Sequence, residues 1–298
     1  MKSLTNTILG KKIILFVNNI GWSQMSRVEV LVATVNQYDF SLIDKMNLQT
    51  DAVIANQAGK VDYSEYESNG TIIKMISTNT VGAGINRNMA LTYSTGDILM
   101  LADDDVSYID GYGEIIQSAF MEVEKADILI FRVNSIKNGE LIEDCPPIQK
   151  RLHLHNALKY GTCRIAIKRR SMLQANIHFH DFFGPGCSYY MSEDTLFIIE
   201  CLKKKLKIYA HNGFIGNTLK DYSTWFCGYD EKFWYNKGAF IAAGLPRLRY
   251  PLMIYFLWRF RKESGTSLIN RLKFMHKGII GYGTLQSYEE YANKVKVM

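Results

Sequence analysis

The run STGDILMLADDDV, Ser94 to Val106, decides the fold. Ile98 to Ala102 is apolar at every position, without the alternation of a strand that shows one face to water. A short run of this kind fits a strand buried on both faces, as in a parallel sheet covered by helices. Three aspartates, Asp103, Asp104 and Asp105, follow at once. In open α/β sheets ligands bind beyond the carboxyl ends of the strands, so these acids stand where a site is expected. Adjacent carboxylates repel one another unless a cation or strong donors compensate them. Hard divalent ions such as Mg2+ take carboxylate oxygens together with substrate phosphates, which suits the cluster. On an extended chain Asp103 and Asp105 point one way and Asp104 the other. The plain alternative is a solvated acidic turn.

Working outward, VEVLVATV (28–35), DAVIA (51–55) and TIIKMI (71–76) read as earlier strands, and ADILIFRV (126–133) and CRIAIKR (163–169) as later ones. The loop Gly82-Ala83-Gly84 leads into a helical pattern with Ile85, Met89 and Leu91 on one side. Strands spaced by helix-length segments predict a βαβ series and a doubly wound sheet. The glycine loop lacks the third glycine of a dinucleotide fingerprint, which disfavours a Rossmann oxidoreductase. Residues 1–27 carry no clear pattern and read as an extension at the domain edge.

A second acidic pair, Ser192-Glu193-Asp194-Thr195, precedes LFIIECLKKKL. Leu196, Ile199, Leu202 and Leu206 share one helical face. Ser192 as N-cap and acids in the first turn would explain the pair without any function. The functional reading makes one acid a general base that deprotonates a hydroxyl nucleophile. Just before it, Phe182-Phe183-Gly184-Pro185-Gly186 is either a gating loop or a plain turn. His178-Phe179-His180-Asp181 has metal-ligand residue types but no fourth ligand in view, and reads as a polar loop.

Composition narrows the class. In 298 residues 47% are apolar, too many for a disordered chain. The five cysteines (Cys145, Cys163, Cys187, Cys201, Cys227) are scattered without a C-x-x-C, against a disulfide framework or a cysteine zinc site. A reducing, cytoplasmic setting is the expectation. No apolar stretch approaches the roughly 20 residues of a membrane span. The net charge of +6 is uneven, since 17 Lys/Arg face 6 Asp/Glu from Lys203 onward. The excess is interleaved with aromatic and aliphatic residues in LPRLRYPLMIYFLWRFRKESGTSLINRLK (245–273). Two readings stay open: a peripheral contact with the inner face of a membrane, or a helical cap packed on the domain. Tyr222, Trp225, Phe226, Tyr229, Phe233, Trp234 and Tyr235 read as core where this tail docks rather than as a sugar platform. No nucleic-acid-binding signature is present.

VLVATVNQ, GAGINRNMAL, STGDILMLADDDV and SEDTLFIIECLKKKLKIYAH, taken in order, resemble the GT-A glycosyltransferases of family 2 over roughly residues 28–215. The resemblance implies a GT-A doubly wound mixed sheet flanked by helices, with a basic-aromatic helical extension. It divides the chain into an N-terminal extension (1–27), a catalytic domain (28–215) and a C-terminal region (216–298). Within the domain, 28–106 would hold the nucleotide-sugar and 107–215 the acceptor. It implies an inverting sugar transfer from a nucleotide-diphosphate donor, with UDP as the nucleotide, to a glycan or lipid-linked acceptor in surface polysaccharide synthesis. A divalent metal, Mn2+ or Mg2+, would sit on Asp105 and Asp103, with Asp103 nearer the ribose. Asp194 would be the catalytic base, with Glu193 beside it. Thr34, Asn36 and Gln37 would flank the nucleotide with Asp104, Asp51 or Asn56 would read the base, and Arg87 would approach the diphosphate. His211 occupies a stretch where some GT-A enzymes supply a further metal ligand. The first strand departs from the family in ending ATVNQ rather than in an aromatic-Asn form.

Two other readings compete. Asp103-x-Asp105-x-Ser107 after an apolar run resembles the haloacid-dehalogenase phosphatase motif, although that motif usually opens its domain and here three strands precede it. A non-enzymatic membrane-surface scaffold is the other, and the intact acid clusters argue against it.

Overall fold

The computed structural model describes residues 26–68, 70–143, 149–219, 228–263 and 265–297. Most of the N-terminal extension, Cys145, Cys227, Tyr222, Trp225 and Phe226 lie outside the described residues. Along the chain the strands are β1 (Val28–Val35), β2 (Asp51–Gln57), β3 (Asp62–Ser68), β4 (Thr71–Thr78), β5 (Ile98–Asp103), β6 (Val106–Tyr108), β7 (Ile128–Lys137), β8 (Glu140–Glu143), β9 (Lys150–Arg151), β10 (Ile165–Lys168) and β11 (Ile208–Leu219). The helices are α1 (Leu42–Met46), α2 (Ala83–Tyr93), α3 (Tyr112–Glu122), α4 (Leu154–Ala157), α5 (Arg169–Ala175), α6 (Glu193–Lys203), α7 (Glu231–Gly244), α8 (Arg249–Arg259), α9 (Leu268–Gly283) and α10 (Tyr288–Val297).

One mixed sheet runs β3-β4-β2-β1-β5-β10-β7-β11-β6, with β8 on β7 and β9 on β11. β4, β2, β1 and β5 are mutually parallel. β10 then runs antiparallel between β5 and β7, and β11 returns parallel to β7. The continuous apolar runs are buried on both faces, as their lack of alternation predicts. Val30, Val32, Ile54, Met100 and Phe131 pack on one side with Ile116 and Phe120 of α3. Leu31, Val53, Leu99, Leu101 and Ile130 pack on the other, with Leu91 of α2 and Phe197 of α6.

β3 and α2 are among the elements that depart from expectation. β3, DYSEYES, is an edge strand with no buried position, antiparallel to β4. Polar side chains on both faces leave no hydrophobic period to read. In α2 the inward residues are Gly84, Asn86, Arg87, Ala90 and Leu91, while Ile85 and Met89 are only partly covered. Two polar residues therefore occupy the face that an apolar stripe predicts.

The C-terminal helices close a third core over the start of α6. Phe233, Trp234 and Tyr235 of α7 and Phe274 and Met275 of α9 pack with Phe183, Tyr189, Leu196 and Ile199. This agrees with the core reading of the described part of the aromatic tract. α7 and α9 touch backbone to backbone, since a Cβ on Gly278 would meet the backbone of Tyr235 and Ala239.

Candidate active site

The parallel strands end together, and their carboxyl ends carry the polar residues singled out from the sequence. Thr34, at the end of β1, is buried and donates its hydroxyl to an Asp104 carboxylate oxygen at 2.5 Å. Asp103 closes β5, and Asp105 lies in the turn to β6, its carbonyl accepting from the Leu219 N–H at 2.9 Å. α2 enters from the second face. Its Asn86 amide donates to the carbonyls of Thr34 (3.2 Å) and Ala55 (2.8 Å), fixing the helix to the ends of β1 and β2.

Arg87, one residue on, joins the two acidic motifs. One guanidinium nitrogen donates to Asp103 at 2.6 Å and another to Glu193 at 2.9 Å. The group is buried and lies over the Phe179 ring, 5.5 Å from its centroid. Burial alone would lower the Arg87 pKa; the charges of Asp103 and Glu193 overcome this and raise it. A buried cation between two carboxylates is the compensation that the acidic cluster requires. Arg87 thus ties Asp103 at the exit of β5 to Glu193 at the start of α6.

Glu193 and Asp194 open α6, but Ser192 does not cap it. Ser192 has φ 76° and its side chain makes no capping hydrogen bond. The chain turns sharply here, and Gly184, at φ 107°, approaches so closely that a Cβ there would stand 3.0 Å from the Glu193 carboxyl carbon. Burial pushes Glu193 upward in pKa, Arg87 draws it back, and the neighbouring Asp194 adds to the rise. Asp194 uses Oδ1 to accept from the N–H (2.6 Å) and hydroxyl (3.2 Å) of Thr195. Its Oδ2 lies beside Gly161. Burial raises the Asp194 pKa, opposed chiefly by the Thr195 N–H, with Asp103 adding to the rise. A carboxylate held above its ordinary range is a better base when deprotonated.

Lys237 of α7 was not singled out by sequence, because it lies in an aromatic segment that reads as core. Its ammonium stands 5.2, 5.3 and 5.2 Å over the rings of Phe233, Phe240 and Phe256. Burial pushes it down to about 8, and attraction from Asp194 works against that.

The remaining sequence candidates separate into two groups. Asn36, Gln37 and Asn56 lie at the same end of the sheet but serve the loop after β1. Asn56 is fully buried, accepts from the Gln37 N–H (2.9 Å) and donates to the Gln37 carbonyl (2.7 Å). The Gln37 amide donates to Asp39 and Ser41 within that loop. Asn36 adopts φ 55° and takes its N–H back to Gln57 at 2.9 Å.

Asp51 and His211 stand elsewhere. Asp51 begins β2, six residues before its carboxyl end at Gln57, so it sits about 20 Å from the site end. There it accepts from the Ile72 N–H (3.0 Å) and pairs with Arg27 (3.4 Å), and it cannot read a base bound at the carboxyl ends. His211 lies on β11, three strands from β5 and on the α3 side of the sheet, against Phe131. Nε2 faces Glu122 at 3.1 Å and Nδ1 accepts from the Gly213 N–H at 3.0 Å. Both ring nitrogens are occupied away from the acids, so His211 is not a ligand with Asp103 and Asp105.

The loop before α6 is anchored rather than a plain turn. Phe183 and Tyr189 are fully buried and stack at 4.8 Å. The Tyr189 hydroxyl reaches the Gln286 carbonyl at 3.2 Å, and Ala83 donates to the Pro185 carbonyl at 3.0 Å. His180 meets the Tyr282 hydroxyl at 3.1 Å and Asp181 accepts from Asn88 at 3.0 Å, which fits the polar-loop reading. No cluster of three or more His, Cys, Asp or Glu in metal-binding geometry occurs among the described residues. The donor set still suits a hard ion. Asp103 and Asp104 each use one oxygen on Arg87 or Thr34, and Mg2+ needs only one or two protein carboxylates when substrate phosphates complete its shell.

This arrangement shares its fold with TarS, in accord with the GT-A architecture expected from the sequence motifs. Similar structures include those of Staphylococcus aureus TarS. Its residues 1–349 in complex with UDP-GlcNAc match with a TM-score of 0.54 and 14% identity, over 89% of this chain and 77% of that one. The complex with UDP gives 0.52 and 14%, over 90% and 78%. A further structure of TarS residues 1–349 gives 0.52 and 13%, over 87% and 72%. No protein-family model and no curated protein matches the sequence.

Proposed function

We propose that the chain is an inverting glycosyltransferase that moves a sugar from a UDP-sugar to a hydroxyl of a glycan or lipid-linked acceptor, in surface polysaccharide synthesis. The observation that carries the reading is the Arg87 bridge. It ties Asp103 at the exit of β5 to the first turn of α6, in a fold shared with a protein solved with UDP-GlcNAc and with UDP.

Thr34, Asn36, Gln37 and Asn56 shape the donor side, and Asp104 is set by Thr34. Asp103 and Asp105 would hold Mn2+ or Mg2+, which when bound offsets the negative charge gathering on the diphosphate leaving group. Arg87 has a buried Nε–H without a partner among the described residues, a donor suited to a phosphate oxygen. Asp194 takes the proton from the acceptor hydroxyl through Oδ2, and displacement from the opposite side of the sugar inverts its anomeric centre. Glu193 holds Arg87 in place. A phosphatase would need Asp103 as nucleophile, and a carboxylate ion-paired at 2.6 Å is a poor one. A cytoplasmic position against the inner face of a membrane, through residues 245–273, would bring a lipid-linked acceptor within reach.

The test is a panel of nucleotide-sugars with Mn2+ or Mg2+, read first by thermal shift and then by release of the nucleoside diphosphate. The anomeric configuration of the product is then read by NMR. A metal-dependent shift with one donor and a product of inverted configuration are expected. No shift with any donor, or a product of retained configuration, would refute the assignment.

A further inference from the structure

The tail resolves into helices that pack and a surface that does not. α7 and the inner side of α9 are core, whereas in α8 only Met253 is buried. Tyr250, Ile254 and Trp258 recur at four-residue spacing on its outer side, with Ile254 68% and Trp258 61% exposed. On the first turns of α9, Ile269 is 79% exposed and Leu268 and Leu272 stand beside it. Arg271 locks the two helices together. It donates to the carbonyls of Phe260 (2.6 Å), Thr266 (2.7 Å) and Glu263, and stacks over Trp234 at 5.0 Å. The end of α8 and the start of α9 are therefore held together at one corner, and both helices carry exposed apolar side chains.

The charge along this segment is nearly all of one sign. Arg247, Arg249, Arg259, Arg261, Lys262 and Lys273 are all exposed, and Glu263 is the one acid between residues 245 and 273. A second copy docking face to face by two-fold symmetry would bring these cations against themselves. Nucleic acid would satisfy the cations but leave Ile254, Ile269 and Leu272 without partners. An anionic bilayer accepts both, with the aliphatic and indole groups at the interface and the cations among the head groups. No helix among the described residues is long and apolar enough to cross a membrane.

We propose that the joined outer faces of α8 and α9 are a docking surface for an anionic lipid bilayer, with Ile254, Trp258, Ile269 and Leu272 inserting and the exposed Arg and Lys contacting head groups. This deepens the transferase reading, on which it rests for its purpose, by naming the partner and the side chains that meet it.

The experiment is co-sedimentation of the full chain with phosphatidylcholine vesicles with and without phosphatidylglycerol. Binding to the anionic vesicles alone is expected. Ile254→Ser/Ile269→Ser should weaken it about tenfold or more, from lost apolar burial. Arg259→Gln/Lys262→Gln should weaken it about 30-fold, from two cations near the surface. All four residues are outside the candidate active site, so nucleoside diphosphate release in solution should be unchanged in both variants. No binding to anionic vesicles would overturn the proposal, as would binding indifferent to the apolar pair. So would capture by RNA homopolymer in preference to vesicles, or a dimer abolished by Ile254→Ser/Ile269→Ser. Failure of vesicle binding with donor turnover intact removes this surface alone, whereas vesicle binding without any donor turnover removes the transferase reading alone.

Discussion

Replacing Arg87 by methionine keeps the bulk of the side chain and removes the charge that joins Asp103 to Glu193. Breaking a buried ion pair by deleting one partner costs about 3–5 kcal/mol, because the other charge is left unpaired. The Asp103 side chain is 39% exposed and water screens it, so its share is small. Glu193, at 11%, carries most of the loss, and we expect about 3 kcal/mol near pH 7.5. The loss should depend on pH. Burial pushes Glu193 upward and Arg87 pulls it back. Without Arg87 the folded chain holds a proton that an unfolded glutamate releases near pH 4.3. Stability of the variant then falls as pH rises from about 4 through the raised folded value. The gap between wild type and Arg87→Met therefore widens from pH 5 to pH 8. Adding Glu193→Gln removes the stranded charge and should recover most of it. Urea denaturation at both pH values measures each quantity. A gap under about 1 kcal/mol, the same gap at both pH values, or no rescue by Glu193→Gln would refute the clamp as the source of stability.

Asp194→Asn should keep donor affinity and lower transfer by about 10²–10⁴-fold, and retained turnover would place the base elsewhere. Because burial raises Asp194, the acidic limb of the wild-type rate should lie above the ordinary aspartate range, with activity lost as pH falls through it. Lys237→Met removes a cation that favours the charged carboxylate, so that limb should move to higher pH; an unmoved limb would dissociate the two groups. Asp105→Ala should abolish the part of donor binding that a chelator abolishes in wild type, whereas His211→Ala should leave it intact, and the reverse pattern would restore the histidine as a ligand.

The strands were legible where burial on both faces imposed an unbroken apolar run, as in Ile98 to Ala102 and Val28 to Val35. β3 was not, because an edge strand with Asp62, Glu65 and Glu67 turned to water leaves no pattern of burial to read. Of the residues read from the sequence as site residues, Thr34 bonds to Asp104, and Arg87 to Asp103 and Glu193. Asp51 and His211 were misplaced for a shared reason. Sequence gives the residue type near a strand but not which end of the strand, or which face of the sheet, it occupies until register is known. Lys237 was invisible because its position depends on how α7 docks beside α6, a contact between segments far apart in the chain.

The inverted face of α2 ties the fold to the chemistry. A helix that covers a sheet ordinarily turns its apolar stripe inward, and Asn86 and Arg87 break that rule where Ile85 and Met89 would have kept it. Burying an unpaired guanidinium is costly, so the inward turn holds only because Asp103 and Glu193 await it from two different elements. β5 ends at Asp103 and α6 begins at Glu193, and the same cation bonds to both. The charge that compensates the acids in the free protein is therefore also the one that links them. A diphosphate oxygen on the Arg87 Nε–H would share the cation's charge with both partners and weaken its hold on Glu193. Donor binding should then couple directly to the first turn of α6, where Asp194 stands.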